Sequence, residues 1–343
     1  SENTQYYRRI AGQFIYSKLD FLNQAFGIIP QQLDNYESTV DLPCFDMNED
    51  INSIFLLEYV KRKDFYEKLG ETADGSRKAK RIHADTFLSF PILIPHIDEQ
   101  QKIADTLTSL DDLITAQTQK IKALQAYKKG LIQEVFPAEG ETVPRVRFRE
   151  FWGAGEWEEK DFGDICQFTR GPFGGALKKE IFVADGYAVY EQSHAIYNNF
   201  DSFRYYITSE KFNELKRFSV NPGDIIMSCS GTMGKFAIVP SESKKGVINQ
   251  ALLKLTVRKG YNLNFIKDTL ELPTSQEKLL SQSAGGAIQN VVSVDQMKMM
   301  KLYTPTSDEQ QKIAAALRSL YDLIAAQTQK LEALKTHKKG LMQ

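Results

Sequence analysis

DEQQKIADTLTSLDDLITAQTQKIKALQAYKKGLIQ, residues 98–133, returns 210 positions later as DEQQKIAAALRSLYDLIAAQTQKLEALKTHKKGLMQ, residues 308–343, identical at 25 of 36 positions without a gap. A match of that length in one register marks a duplicated element. Within the first copy Ile103, Leu107, Leu110, Ile114, Ile121 and Leu124 step by helical intervals, and Ile313, Leu317, Leu320, Ile324, Leu331 and Leu334 repeat the steps. This is a heptad seam, with Gln117 and Gln327 at the skipped position. Asp98 and Asp308 are read as N-caps, and Lys-Lys followed by Gly130 or Gly340 as a basic helix end. Each copy is then a helix of roughly 32 residues, about 48 Å long. An apolar seam needs a partner, and the other copy is the nearest one, so the two helices are expected to pair antiparallel. Ordinary bundle packing does not require Gln117 to Lys120 to recur unchanged as Gln327 to Lys330.

The repeat divides the chain into residues 1–97, helix 98–133, linker 134–156, a second globular segment 157–307 and helix 308–343. Pro137, Gly140, Pro144, Gly153 and Gly155 punctuate the linker. Beyond Trp157 the pattern turns to short β-rich runs: Ala188–Tyr190, Asp224–Met227, Phe236–Val239 and Ala251–Val257. The expected class is α+β. At the same offset Gly27-Ile-Ile-Pro30 faces Ala237-Ile-Val-Pro240, and Gln13–Tyr16 lies beside Gly223–Ile226. The front of the chain therefore reads as the later part of the same domain, residue 1 matching Lys211. About 55 residues equivalent to Trp157–Glu210 have no counterpart, so the first domain is expected to be partial.

Composition sets the class. With 343 residues, 42% hydrophobic and 25% charged, the chain is long enough for two cores and is neither disordered nor a disulfide scaffold. No apolar run reaches membrane-spanning length and the first residues are polar, which points to the cytoplasm. Cys44, Cys166 and Cys229 are widely spaced and read as core thiols. His83, His96, His194 and His337 share no ligand spacing, so no metal is expected.

Motifs for chemistry fail. Gly231-Thr-Met-Gly234-Lys235 has a superficial likeness to a phosphate loop, but Cys229 stands where the first glycine belongs and Phe236 replaces the Ser/Thr. Asn221-Pro-Gly-Asp224 lacks the second proline and the ring of the amino-methyltransferase tetrad, and reads better as a turn before a strand. The net charge of −1 gives no global pull toward nucleic acid. Charge is nevertheless local: Lys211 to Gly260 holds nine basic against three acidic residues, and Arg77, Lys78, Lys80 and Arg81 crowd one short stretch. Candidate DNA contacts are Arg170, Lys178, Lys179, Gln192, His194, Ser228, Ser230, Thr232, Lys235, Gln250, Gln289 and Asn290, polar residues of the kinds that read base edges or hold phosphates.

These features together resemble the DNA-specificity (S) subunits of type I restriction-modification systems, over nearly the whole chain. The resemblance rests on the two Asp-Glu-Gln-Gln-Lys-Ile starts, the Lys-Lys-Gly ends, the Phe136-Pro137 to Phe151 linker, Gly223-Asp-Ile-Ile with Gly231-Thr-Met-Gly234, and Gly285-Gly-Ala-Ile-Gln. It implies two mixed α/β target-recognition domains, the first one partial, joined by two long antiparallel coiled-coil helices. Each domain would read half of a bipartite site in double-stranded DNA. The helices would set the spacer and dock two methyltransferase (M) subunits, with restriction (R) subunits as further candidate partners. The chain itself would be non-catalytic and bind no cofactor. S-adenosylmethionine for adenine N6 methylation would sit on the M subunits, ATP and Mg on the R subunits. By position in the duplicated domain, Tyr16, Ser17 and Lys18 join the candidates opposite Ser228–Gly234, and Arg77, Lys78 and Lys80 opposite Ala287–Asn290. The rival reading is a coiled-coil scaffold whose globular domains bind protein; a self-sufficient enzyme is disfavoured by the failed motifs.

Overall fold

The computed structural model describes residues 5–71, 81–173, 175–281 and 293–342. The chain divides into two compact units, 1–123 with 324–343, and 124–323. The duplicated segments form helices Ile97–Val135 and Ser307–Leu341.

In the second unit one four-stranded sheet runs in the order Ser219–Val220, Gly246–Ile248, Tyr187–Tyr190, Tyr206–Ile207, and another in the order Phe236–Ile238, Ile225–Ser228, Leu252–Val257, Cys166–Arg170. Most pairings are antiparallel; Gly246–Ile248 runs parallel to Tyr187–Tyr190, in the register Val247↔Val189. Gly246 is required there, because a Cβ would lie 2.0 Å from the Ala188 carbonyl oxygen. Asn221–Asp224 is the predicted turn: Asp224 N donates to Asn221 O, Asn221 N to the Asp224 carboxylate, and Gly223 takes φ +85°. Ile225–Ser228 is buried at every position, so its sequence shows no alternation of apolar and polar residues.

The core of this unit joins Ile225, Met227, Leu253 and Leu255 to Phe265 and Ile266 of helix Leu263–Glu271. Val135, Phe136 and Trp157 belong to the same cluster, as do Ile313 and Leu317. Three expectations are corrected here. Gly130 does not end its helix: Leu131, Ile132 and Val135 pack on the domain core, and that burial outweighs the ~1 kcal/mol cost of a helical glycine. Gly340 is likewise helical. Ile313 and Leu317, expected only to pair helices, belong to the domain core, in a cluster that also takes in Leu131, Ile132 and Val135 of the other long helix.

The linker is no loose tether. Arg147 clamps Glu309 with two hydrogen bonds of 2.6 and 2.7 Å and also donates to Gly155 O. Both side chains of the pair are buried, at 8% and 0% exposure. Lys312 adds Glu150 at 2.8 Å.

The first unit repeats the later half of this plan. Strands Phe26–Ile28, Phe14–Tyr16 and Cys44–Phe45 form one sheet, and Tyr6–Arg8 pairs with Glu37–Thr39. The core is aromatic: Phe14, Tyr16, Phe21, Phe45 and Phe65 gather around Phe87. Among the described residues no counterpart of strands 166–170, 187–190 or 206–207 adjoins these sheets. Accordingly Ile10 is 56% exposed where its equivalent Val220 is 6% exposed.

Helix starts Asn52 and Asn262 cap Ser53–Val60 and Leu263–Glu271, each accepting two backbone N–H groups. Each cap residue is tied to a long helix by the repeated glutamine. Gln100 accepts from Asn52 N and donates to Asp50 O and Pro95 O, all at 2.9 Å. In the second unit Gln310 accepts from Asn262 N and donates to Pro305 O, again at 2.9 Å. Asp98 and Asp308 lie inside the first helical turn, where their charges favour the helix N-terminus, and are not the caps expected of them.

Candidate nucleic-acid interface

In the second unit several chain reversals fall along one edge of the sheets. Strand Ile225–Ser228 ends there, Phe236–Ile238 begins there, and Cys166–Arg170 ends beside the start of Leu252–Val257, with Arg170 opposite Leu253. Asn249 N bonds Tyr190 O at the same edge. Gly171 approaches so closely that a Cβ would stand 1.8 Å from Asn249 O.

The reversal 229–235 is curled by Ser228, whose Oγ donates to Thr232 O at 2.6 Å and accepts from Lys235 N at 3.1 Å. Gly231 and Gly234 supply the positive φ values the curl needs, +60° and +71°. Ser230 and Gln192 are joined across two reversals at 3.2 Å. This edge therefore collects Arg170, Gln192, Ser230, Thr232, Lys235 and Gln250, the last three of them exposed. The Arg170 Nη1 is buried and has no hydrogen-bond partner among the described residues. Burial pushes the neighbouring Cys229 thiol up to about 11, against the pull of the Arg170 charge. A donor in that state is open to an acceptor brought by a ligand.

Other candidates are placed elsewhere. Ser228 is fully buried and shapes the loop from within. His194 is 4% exposed; its ring lies beside Phe203 and its Nδ1 bonds the Glu191 backbone. Neither faces a ligand, which corrects both expectations. Lys178 and Lys179 are exposed on the crossing from Arg170 to Tyr187, with no described contact to the six. The Lys211–Gly260 charge does not form one face, since Lys254 is buried, donating to Ser219 O beside Asp224.

In the first unit the corresponding reversal lies between strands Phe14–Tyr16 and Phe26–Ile28. Tyr16 is 1% exposed with its hydroxyl on Ile82 O, so it holds the core and is withdrawn as a contact. Ser17 and Lys18 are half-buried in a loop tied by Asp20 N to Ser17 Oγ and Lys18 N to Asp41 O. Arg77, Lys78, Lys80, Gln289 and Asn290 lie outside the described residues. Arg81 is described, 3.9 Å from Asp41.

The helix seam has its own polar geometry. In the first unit Gln117 donates to both Gln327 O and Oε1, at 2.9 and 3.0 Å, and Lys338 reaches both Asp111 oxygens at 2.8 Å. These pairings make the helices antiparallel. Lys338 also meets the buried Glu58 at 2.9 Å, opposite Lys61 at 3.0 Å. Burial draws the Glu58 carboxyl upward, yet the two lysines hold it below its ordinary value. In the second unit the equivalent residues are Lys128, 5.1 Å over the Tyr321 ring, and Asp268, which accepts from Tyr321 Oη at 3.0 Å. There burial wins, and the Asp268 carboxyl is pushed up to about 6. Of the remaining heptad residues, Leu107, Ile121, Leu320 and Leu331 are buried, and Ile103, Leu110, Ile114, Leu124, Ile324 and Leu334 are half-buried.

Among the described residues no His, Cys, Asp and Glu group could hold a metal, and no helix is long and apolar enough to cross a membrane.

A family model described as type I restriction modification DNA specificity domain matches residues 43–126 and 154–336. A protein assigned as the type I restriction enzyme MjaX specificity subunit of Methanocaldococcus jannaschii is 23% identical over 304 residues, 84% of this chain. The chain spans 65% of that relative's length. A structure titled for complex assembly and conformational transition of the type I R-M system superposes over 100% of this chain and 83% of its own, at 15% identity and TM-score 0.64. The type I S subunit from M. genitalium gives 14% identity and TM-score 0.60, over 100% and 84% of the two chains. At such identities the superpositions bear on the fold.

Proposed function

The chain belongs to the type I restriction-modification DNA specificity family, and on that premise we propose that it is the non-catalytic subunit that reads a bipartite DNA target for its methyltransferase partners. The observation that carries the reading is the gathering of Arg170, Gln192, Ser230, Thr232, Lys235 and Gln250 on one edge of the second unit. Arg suits the guanine edge, Gln the adenine edge, and Lys a phosphate. Arg170 stands at a strand end, Gln192 opens helix Gln192–Tyr197, and the Ser228 bonds fix the loop that carries Ser230, Thr232 and Lys235.

The paired helices serve as spacer and docking surface. Gln117–Lys120 and Gln327–Lys330 repeat one polar face twice, which suits two copies of one M subunit arranged by a pseudo-two-fold axis. The chemistry belongs to those partners: each binds S-adenosylmethionine and methylates an adenine N6 after the base leaves the stack. R subunits, where used, bring ATP and Mg.

Mapping N6-methyladenine in cells with and without the gene tests this directly. A bipartite motif that disappears supports the reading, and an unchanged methylation pattern refutes it. Arg170→Ala and Lys235→Ala should each weaken specific DNA binding in band-shift titrations at fixed salt while partner co-purification persists. Unchanged affinity in both would move the reading surface elsewhere.

A further inference from the structure

A cationic cleft in the first unit has no role in the reading above. Lys61, Arg62 and Lys63, at the turn between helices Ser53–Val60 and Lys63–Glu71, form one wall. Lys335, Lys338 and Lys339, in the last turns of Ser307–Leu341, form the other. The cleft encloses 610 Å³, Gln24 stands at its margin, and Glu58 is its one acidic lining residue. The cleft beside the equivalent helix of the second unit is close to neutral, with Lys128, Lys267 and Arg318 facing Asp268 and Glu271. The difference is written in the sequence: 210 positions after Lys61-Arg-Lys63 stands Glu271-Leu-Pro273, and Lys335 corresponds to Gln125.

Not all six cations are free to act. Lys338 is held by Glu58 and Asp111, Lys61 by Glu58, and Arg62 by Asp64. Lys63 and Lys335 sit in exposed pairs with Glu67 and Glu332, at 3.7 and 2.8 Å, weak solvent-screened contacts that can yield to a stronger anion. Lys339 is exposed and forms no ion pair among the described residues.

We propose that this cleft seats the sugar-phosphate backbone of duplex DNA next to the bases offered to the loop Ser17–Asp20, a proposal that rests on the DNA-reading function above. Continuity favours that occupant. Gln24 closes the short helix Phe21–Asn23 directly after the loop, and Ser17 N to Ala25 O with Ala25 N to Asp20 O ties loop and cleft margin into one turn. Lysine ammonium groups on separate elements act as point charges on phosphates and read no base. In a chain of net charge −1, attraction for phosphates must come from local concentrations of cations such as this one.

The test is the salt dependence of binding by the full chain with its methyltransferase partners. Lys63→Gln, Lys335→Gln and Lys339→Gln, singly and together, are titrated from about 50 to 200 mM salt against a random-sequence duplex and a duplex carrying the mapped methylation motif. Each exchange should make the plot of log affinity against log salt shallower by about one unit of slope, for both duplexes alike, and Lys63→Arg should restore it. Lys244, Lys245 and Lys259 replaced by Gln, at the far ends of second-unit strands, should leave the slope unchanged. A wild-type slope in the triple variant overturns the proposal. So does a loss confined to the motif duplex, or an equal loss in the far-end control. Failure of the unaltered complex to bind either duplex would instead remove the DNA-reading function itself, and this proposal with it.

Discussion

Replacing Asp268 with asparagine should make the second unit more stable at neutral pH. The side chain is 6% exposed, and burial lifts its carboxyl from 3.8 to about 6, outweighing the nearby Lys267 and Lys128 charges and the Tyr321 hydrogen bond. A folded-state value above the unfolded one means that the folded chain binds the proton more tightly. Stability is then greatest below pH 4 with respect to this group and falls as pH rises toward and through 6. The lift corresponds to roughly 3 kcal/mol at full ionisation, an upper figure since relaxation of the site reduces it. The amide introduced by Asp268→Asn would keep an acceptor for Tyr321 Oη and carry no charge. Both tryptophans, Trp152 and Trp157, lie in this unit, so their fluorescence follows its urea unfolding. Comparing parent and Asp268→Asn from pH 4 to 8, the variant should gain about 1–3 kcal/mol at pH 7.5, and the gain should shrink to nothing near pH 4. A variant no more stable at pH 7.5, or a gain independent of pH, refutes the reasoning.

The equivalent Glu58 carries the opposite expectation. Its folded value is lowered, so its contribution is present above the ordinary glutamate range and lost as pH falls through the folded value; Glu58→Gln should destabilise the first unit at pH 7 and do so less in acid, as hydrogen exchange would report. Arg147→Ala strands the buried Glu309 carboxylate and should cost the second unit about 3–5 kcal/mol in urea unfolding, whereas a loss under ~1 kcal/mol would mean the pair is not buried in solution. Leu110→Asp with Leu320→Asp should part the helix seam and abolish co-purification of the M subunits; an intact complex would refute docking on the paired helices.

The two long helices and the duplication were legible because 25 of 36 positions repeat in register, and no tertiary knowledge is needed to see that. Individual roles within them were less so. Gln100 and Gln310 look like surface residues, and only the fold shows them buried against backbone. Ser228 and Tyr16 were misread because polarity does not reveal exposure: Ser228 ends a strand buried on both faces, and the Tyr16 hydroxyl finds its acceptor 66 residues away. The Lys61–Lys63 cluster is not legible in the sequence, since Glu58, Asp64 and Glu67 cancel it in any window count and only the fold brings Lys335, Lys338 and Lys339 beside it.

The attachment of each domain to its long helix has a bearing on how such chains change over time. Gln100 bonds only main-chain groups, Asn52 N, Asp50 O and Pro95 O, and Gln310 only Asn262 N and Pro305 O. A fitting made to main-chain atoms is indifferent to the side chains around it. The glutamine joint can therefore stay intact while side chains on the domain's ligand-facing surface change, whereas Ile313 and Leu317 in the core and the buried Arg147–Glu309 pair do depend on which side chains the domain brings. Variation confined to that surface leaves the joint at Gln100 and Gln310 untouched.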